Sequence, residues 1–155
     1  MKLGILTSIF GNYNFEQVLD MTSEFGLECM EVACWPQGEG ERRYAGVCHI
    51  DCENFTDEEA HTIINKCEEK KIFISALGFY ANLMDENLEK RKENIQHFMK
   101  VIDVSAKLNI NMVTGFLGRM QHKTLEENLK AVKEIWTPII DYAESKKVSN
   151  AVYTR

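Results

Sequence analysis

Five polar residues of this chain could bind a small molecule. Glu31 lies inside one apolar segment, Tyr80 and Asn82 follow a second, Arg119 follows a third, and His49 lies in a long stretch without periodicity. Their carboxylate, phenol, amide, guanidinium and imidazole groups can hydrogen-bond hydroxyl groups or pair with anions. Because ligands bind beyond the carboxyl ends of parallel strands, we expect these residues to line one pocket.

Aromatic residues near these groups could form the apolar walls of the pocket, namely Phe10, Trp35 and Phe116. Simpler roles compete with binding. A lone loop histidine such as His49 is more often solvated or satisfied than a ligand, Arg119 could neutralise a helix end, and Tyr80 could plug the sheet edge. Glu31 could face the sheet interior in a hydrogen-bonded pair. The remaining histidines are expected on the surface: His61, His97 and His122.

The apolar pattern predicts strands that alternate with helices. Short β-branched and aromatic runs predict strands over 2–7, 27–33, 72–77, 110–116 and 147–153. Between them, helix-spaced apolar residues predict four helices, the first over 15–25 and the third ending near Leu108. The other two helices start with the capping-box spacing that also opens the first, at Asn14/Gln17, Thr56/Glu59 and Thr124/Glu127.

Glycine signals mark the predicted breaks. Gly78 is expected to end the third strand, so that 79–87 forms a loop carrying Tyr80 and Asn82. The stretch 34–55, which contains Gly38 and Gly40, is predicted as a long loop.

Alternating strands and helices favour an α/β fold with one parallel sheet and right-handed crossovers. We expect a single partial domain over residues 1–155, with four to five βα units. A flavodoxin-like open sheet suits this length, whereas an eight-stranded barrel needs roughly 200 to 250 residues. However, no G-x-G-x-x-G follows the first strand and no phosphate loop is present.

Composition limits the class of partner and the compartment. The net charge of -6 argues against nucleic acid, which requires clustered Lys and Arg. No apolar run approaches a membrane span and no secretory leader is visible, so we expect a cytoplasmic protein. The cysteines read as free thiols of a reducing compartment. A zinc site formed by Cys34, Cys48, His49 and Cys52 is the weaker alternative.

The most specific motifs are ISALGFY (74–80), the Gly118-Arg119 pair and the helix start TLEENL (124–129). With their flanking segments over 1–148, they resemble the amino-terminal half of the sugar phosphate isomerase/epimerase family, the xylose-isomerase-like TIM barrels. The resemblance implies half of a (β/α)8 barrel and aldose–ketose isomerisation or epimerisation assisted by a divalent metal (Mn, Mg, Co or Zn). It also implies a small sugar or sugar phosphate as substrate, and it supports a pocket role for Glu31.

The family's first metal ligand is a Glu that closes strand five, in a segment resembling V-K-I-A-I-E-N. Here the segment reads VSNAVYT (148–154) and has no carboxylate. The resemblance therefore implies that this chain alone lacks the metal ligands and does not bind the metal. A truncated or frameshifted product is the simplest explanation, and a natural half-barrel is the alternative.

Three functions follow. The first is a sugar isomerase or epimerase homologue with impaired activity. The second is a noncatalytic half-barrel that forms homo-oligomers through the exposed edges of strands one and four. The third is a flavodoxin-like module that binds a nucleotide or flavin.

Overall fold

A computed structural model describes residues 1–38 and 44–153, so that Gly40, Thr154 and Arg155 lie outside the described residues. The strands are β1 (Gly4–Leu6), β2 (Cys29–Ala33), β3 (Phe73–Asn82), β4 (Met112–Phe116) and β5 (Ser149–Tyr153). The helices are α1 (Phe15–Glu24), α2 (Asp57–Lys70), α3 (Leu88–Lys107) and α4 (Leu125–Ser145). The predicted first strand is shortened because residues Thr7–Phe10 turn into a 3-10 helix.

The five strands form one parallel sheet in the order β1-β2-β3-β4-β5. Right-handed crossovers between successive neighbours place every helix on the same face of the sheet. Each helix contacts the next one along the chain. This arrangement is half of a (β/α)8 barrel. The flavodoxin-like alternative is wrong, because that fold has the strand order 2-1-3-4-5.

The core lies between the sheet and the helix layer. Met30 and Val32 in β2, Leu77 in β3 and Val113 in β4 are completely buried there. Because successive side chains of a strand point to opposite faces, Glu31 must point to the other face, the interior of the barrel. The buried apolar residues thus determine which polar residues reach the candidate site.

Side-chain caps fix the helix starts as the sequence predicts. All three capping boxes form, at Asn14/Gln17, Thr56/Glu59 and Thr124/Glu127. In each, the cap side chain accepts a hydrogen bond from the third helical residue, whose own side chain accepts one from the cap backbone. The caps therefore set where each of these helices departs from the rim of the sheet.

The third strand is longer than predicted. Gly78 does not break it: Gly78 pairs in register with Ala33 of β2 and Thr114 of β4, and β3 continues to Asn82. A Cβ at Gly78 would lie 2.7 Å from Oε1 of Glu31 and 3.0 Å from the Tyr80 ring. The glycine therefore provides space for side chains inside the barrel and does not form a turn.

The prediction that His97 is a surface residue is also wrong. The side chain is buried, and its Nε2–H donates a hydrogen bond to the Cys34 carbonyl over 2.7 Å. Nδ1 lies 3.4 Å from Oε1 of Glu53, and the ring packs edge-on against Phe79 at 4.6 Å. His97 thus ties α3 to the end of β2 and to the following loop.

The edges of the sheet are β1 and β5. The prediction that strand four is an edge is wrong, because β4 pairs with both β3 and β5. Within the described residues, none of the helices is long and apolar enough to cross a membrane.

Candidate functional site

Side chains from three neighbouring strands meet at the carboxylate of Glu31. Oε1 of Glu31 accepts hydrogen bonds from the Tyr80 hydroxyl and, over 2.7 Å, from the Thr114 hydroxyl. These residues belong to β2, β3 and β4 and share the interior face of the sheet. Oε2 of Glu31 has no hydrogen-bond partner among residues 1–38 and 44–153. It is therefore the oxygen that can accept a hydrogen bond from a ligand.

Tyr80 supplies both a proton donor and an aromatic surface. Burial, followed by the hydrogen bond to Glu31, raises the pKa of the Tyr80 phenol well above its usual value. The phenol therefore stays protonated at neutral pH and donates to the carboxylate. Its ring packs edge-on against Phe116 with centroids 5.0 Å apart and stacks on Tyr153 at 6.5 Å. One side of the carboxylate is thus bordered by an aromatic wall.

A second group lies at the rim, where the backbone after β4 is held by Asn82. Oδ1 of Asn82 accepts a hydrogen bond from the Arg119 N–H over 3.0 Å, and Nδ2 donates to the Arg119 carbonyl over 2.9 Å. Arg119 is exposed. Its guanidinium group makes no hydrogen bond or ion pair with the described part of the chain. The structure therefore brings Asn82 and Arg119 together, with only the arginine side chain facing solvent.

Arg119 borders a cavity of about 470 Å³ between the β4–α4 loop and the start of α4. Lys123 also borders this cavity, and its ammonium group lies 3.4 Å from Glu127. A cavity with two cationic side chains can accept a compact anion such as a phosphate or carboxylate.

His49 and Phe10 form a separate contact with the segment that follows the carboxyl end of β1. Nε2 of His49 donates to the Phe10 carbonyl over 3.3 Å, so Nδ1 accepts from the Thr7 hydroxyl over 2.9 Å. The same hydroxyl oxygen accepts the Ala33 N–H over 2.9 Å. Burial lowers the pKa of His49, which favours this neutral form. In this structure His49 links the first two strands.

Trp35 lies apart from the Glu31 group. Its ring packs edge-on against Phe79 with centroids 4.9 Å apart, and the backbone N–H of Trp35 donates to the Val47 carbonyl. Trp35 borders a different cavity of about 480 Å³ together with Asp85 and Asn94. The predicted residues therefore fall into distinct places along the rim, with Glu31, Tyr80 and Phe116 in one group.

Sequence reasoning missed Thr114, Asn128 and Tyr153. Thr114 lies inside the predicted strand INMVTGF, two positions before Phe116, and strand alternation would have placed both on the interior face. Tyr153 occupies the position at which the family's strand-five segment, V-K-I-A-I-E-N, has its Glu. Asn128 belongs to the TLEENL motif, but no sequence signal identifies its hydrogen-bond partners Met120 and Lys123, which lie on the preceding loop.

No group of three His, Cys, Asp or Glu side chains that could hold a metal ion occurs in the described ranges 1–38 and 44–153. Cys34 and Cys52 are buried, Cys48 pairs with Cys34 only through the backbone, and His49 points to Thr7. Within the part of the chain that the structure describes, the residues do not fit the metal that the resemblance implies.

Comparison with solved structures shows the same fold at low identity. A D-psicose 3-epimerase determined in the presence of D-fructose superposes with a TM-score of 0.70 at 18% identity, covering 98% of this chain and 52% of that chain. A D-psicose 3-epimerase from Clostridium cellulolyticum H10 with D-tagatose superposes with a TM-score of 0.69 at 14% identity, covering 98% of this chain and 52% of that chain. The IolI protein with a binding zinc atom superposes with a TM-score of 0.69 at 16% identity, covering 99% of this chain and 51% of that chain.

This chain therefore spans about half the length of those structures. No curated protein matches it. A family model described as "Xylose isomerase-like TIM barrel" matches residues 19–152, which is most of the chain. Together with the β1-to-β5 order of the sheet, this match shows that the chain belongs to the xylose isomerase-like TIM barrel family.

Proposed function

We propose that this chain forms the sugar-binding wall of an isomerase or epimerase that acts on a small sugar. The observation that carries the proposal is the Glu31 carboxylate, held by the Tyr80 and Thr114 hydroxyls with Oε2 left available on the interior face. A carboxylate fixed in this way accepts hydrogen bonds from sugar hydroxyls at little cost in ordering.

The aromatic wall supports the same assignment. Sugars combine hydroxyl groups with apolar C–H faces, and binding sites of small molecules pair a few placed polar groups with apolar walls. Tyr80 and Phe116 would contact the apolar face, and Glu31 would accept from a hydroxyl. The two D-psicose 3-epimerases of the same fold were determined in the presence of D-fructose and with D-tagatose.

In the family, a divalent metal would polarise the sugar oxygens during proton transfer. The described residues do not supply its ligands, so we assign this chain only the steps of binding and orientation.

Isothermal titration with D-fructose and D-tagatose tests the binding role. Glu31→Gln should weaken the affinity about tenfold, since hydrogen bonds to charged groups contribute roughly 1.5–3 kcal/mol. Glu134→Gln, at an exposed glutamate of α4, is the matched control and should leave the affinity unchanged. Equal affinities of the Glu31→Gln variant and the wild type would contradict the proposal.

The cavity beside Arg119 supports a finer proposal, that the sugar carries a phosphate. Arg119 and Lys123 border this cavity, and Arg119 has a guanidinium suited to bidentate phosphate contacts. The wild type should bind D-fructose 6-phosphate more tightly than D-fructose, and Arg119→Gln should remove the difference. Lys130→Gln, at an exposed lysine of α4, is the control. A wild type that does not distinguish the two sugars would refute the phosphate assignment.

Self-association is a second candidate function. The strand edges of β1 and β5 are unpaired in the sheet, and Leu6 and Tyr153 on them are 36% and 55% exposed. Unpaired edges template pairing with other chains, and two copies would together match the length of the solved relatives.

Light scattering after size exclusion should give twice the 17.9 kDa chain mass. Leu6→Lys should restore the monomer, whereas Ile140→Lys, on an exposed position of α4, should not. A monomer at every concentration would exclude this candidate.

A further inference from the structure

The backbone around Arg119 is held by the side chains of two asparagines. Asn82, at the end of β3, accepts from the Arg119 N–H and donates to the Arg119 carbonyl. Asn128, in the first turns of α4, does the same for the next residue: it accepts from the Met120 N–H over 2.8 Å and donates to the Met120 carbonyl over 3.1 Å. Two successive residues thus have both backbone polar groups paired by a carboxamide.

Both carboxamides have further partners that anchor them. Oδ1 of Asn82 also accepts from the Met84 N–H over 3.1 Å, so this oxygen already receives two hydrogen bonds. Nδ2 of Asn128 also approaches the Lys123 and Thr124 carbonyls at 3.2 and 2.9 Å. A carbonyl oxygen with two donors has little remaining capacity for a ligand.

Gly118 makes this arrangement possible. Its φ of +82° is a left-handed conformation that side chains disfavour, and a Cβ would lie 2.2 Å from Oδ1 of Asn82. The carboxamide therefore occupies the space that any other residue at position 118 would fill. The loop from Gly118 to Met120 is fixed by its neighbours on β3 and α4.

We propose that Asn82 and Asn128 are positioning residues that direct the Arg119 guanidinium into the adjoining cavity, where it contacts the anionic group of the ligand. The inference rests on the phosphate role of Arg119 proposed above. It changes the role of Asn82, which the sequence predicts as a ligand residue. The physical reason is entropic: a long side chain on a fixed backbone explores fewer positions, so binding an anion orders it at lower cost.

Amide hydrogen exchange tests the geometry without any ligand. In Asn82→Ala, exchange of the Arg119 N–H should accelerate at least about tenfold, because its acceptor is removed. Asn128→Ala should do the same for the Met120 N–H. Asn65→Ala, at an exposed position of α2, should leave both rates unchanged. An unchanged Arg119 rate in Asn82→Ala would overturn the inference.

Titration with D-fructose 6-phosphate and D-fructose tests the action through Arg119. Asn82→Ala should weaken D-fructose 6-phosphate binding about fivefold and leave D-fructose binding unchanged, whereas Asn65→Ala should change neither. In an Arg119→Gln background, Asn82→Ala should cause no further loss.

An equal loss in both backgrounds would mean that Asn82 contacts the ligand directly and would overturn the positioning role, as would a loss of D-fructose affinity. A wild type that binds neither sugar would defeat the proposed function and, with it, the positioning role. The exchange rates would still report whether the asparagines order the loop, so the two failures are distinguishable.

Discussion

Gly78 and Glu31 are in direct contact inside the half-barrel. Gly78 lies so close to the Glu31 side chain that a Cβ at position 78 would be 2.7 Å from Oε1 of Glu31. This oxygen is the one that accepts hydrogen bonds from Tyr80 and Thr114. The position of the carboxylate therefore depends on the absence of a side chain in the neighbouring strand.

Gly78→Ala should displace the Glu31 carboxylate and lower the free energy of unfolding by about 1–3 kcal/mol, the usual cost of overpacking. Urea denaturation measures the stability, and D-fructose titration measures the expected loss of affinity. Gly11→Ala is the control, because its Cβ would meet only the end of the Val47 side chain, at 3.1 Å. If the Gly78→Ala variant had the same stability and D-fructose affinity as the wild type, the close packing of Gly78 against Glu31 would be contradicted.

Tyr80→Phe should make the protein less sensitive to alkaline pH. The folded-state pKa of Tyr80 is raised above the unfolded value of about 10, so its contribution to stability is complete below that pH and is lost as pH rises. Unfolding free energies measured from pH 8 to 11 should fall less steeply in Tyr80→Phe. Tyr13→Phe, at an exposed tyrosine, should keep the wild-type slope. Parallel slopes for Tyr80→Phe and wild type would refute the assignment.

His49→Gln should make stability less dependent on pH between 7 and 5. The pKa of His49 is lowered in the folded state, so its contribution is present above the unfolded value of about 6.5 and is lost as pH falls. Glutamine can keep the bonds to Thr7 and Phe10 without titrating. The control is His61→Gln, at an exposed position of α2. Identical acid slopes for wild type and His49→Gln would contradict the prediction.

Asn150→Val should stabilise the protein. Oδ1 of Asn150 is buried without a hydrogen-bond partner in the described part of the chain, and the residue pairs in register with the buried Val113. An unsatisfied buried acceptor costs about 1–3 kcal/mol, so a gain of about 1 kcal/mol is expected in urea denaturation. Asn111→Val, at an exposed position, should show no such gain. A loss of stability in Asn150→Val would show that the amide has a structural role.

His97→Phe should destabilise the protein by about 2 kcal/mol, because the buried Cys34 carbonyl loses its donor. Calorimetry should show a lower Tm. His122→Phe is the matched control, since His122 is exposed and, among described side chains, its ring hydrogen-bonds only to Glu86. A change in Tm of equal size in both variants would argue against a specific role for His97.

The sequence was sufficient for the elements and their order but not for the contacts between distant elements. Alternation and capping boxes are local signals, so the helix starts at residues 15, 57 and 125 agree with prediction. Gly78 was misinterpreted because a glycine that opens a turn and one that admits a neighbouring carboxylate look identical in sequence. The surface prediction for His97 failed because its partner, Cys34, lies 63 residues away. Pairings at that separation are set by tertiary packing.

The same limit applies to the candidate site. Strand alternation could predict that Glu31 leaves the core, and the resemblance pointed to it. The hydroxyl of Thr114, which is 83 residues away, could be placed beside Glu31 only once the strand register was known.

The two asparagines that hold the loop after β4 separate the role of its backbone from the role of its side chains. The path of this loop is set by hydrogen bonds from β3 and α4 and by Gly118, so the Arg119 side chain is not needed to maintain it. A substitution of Arg119 should therefore change which ligands the cavity accepts and leave the path of the loop unaltered.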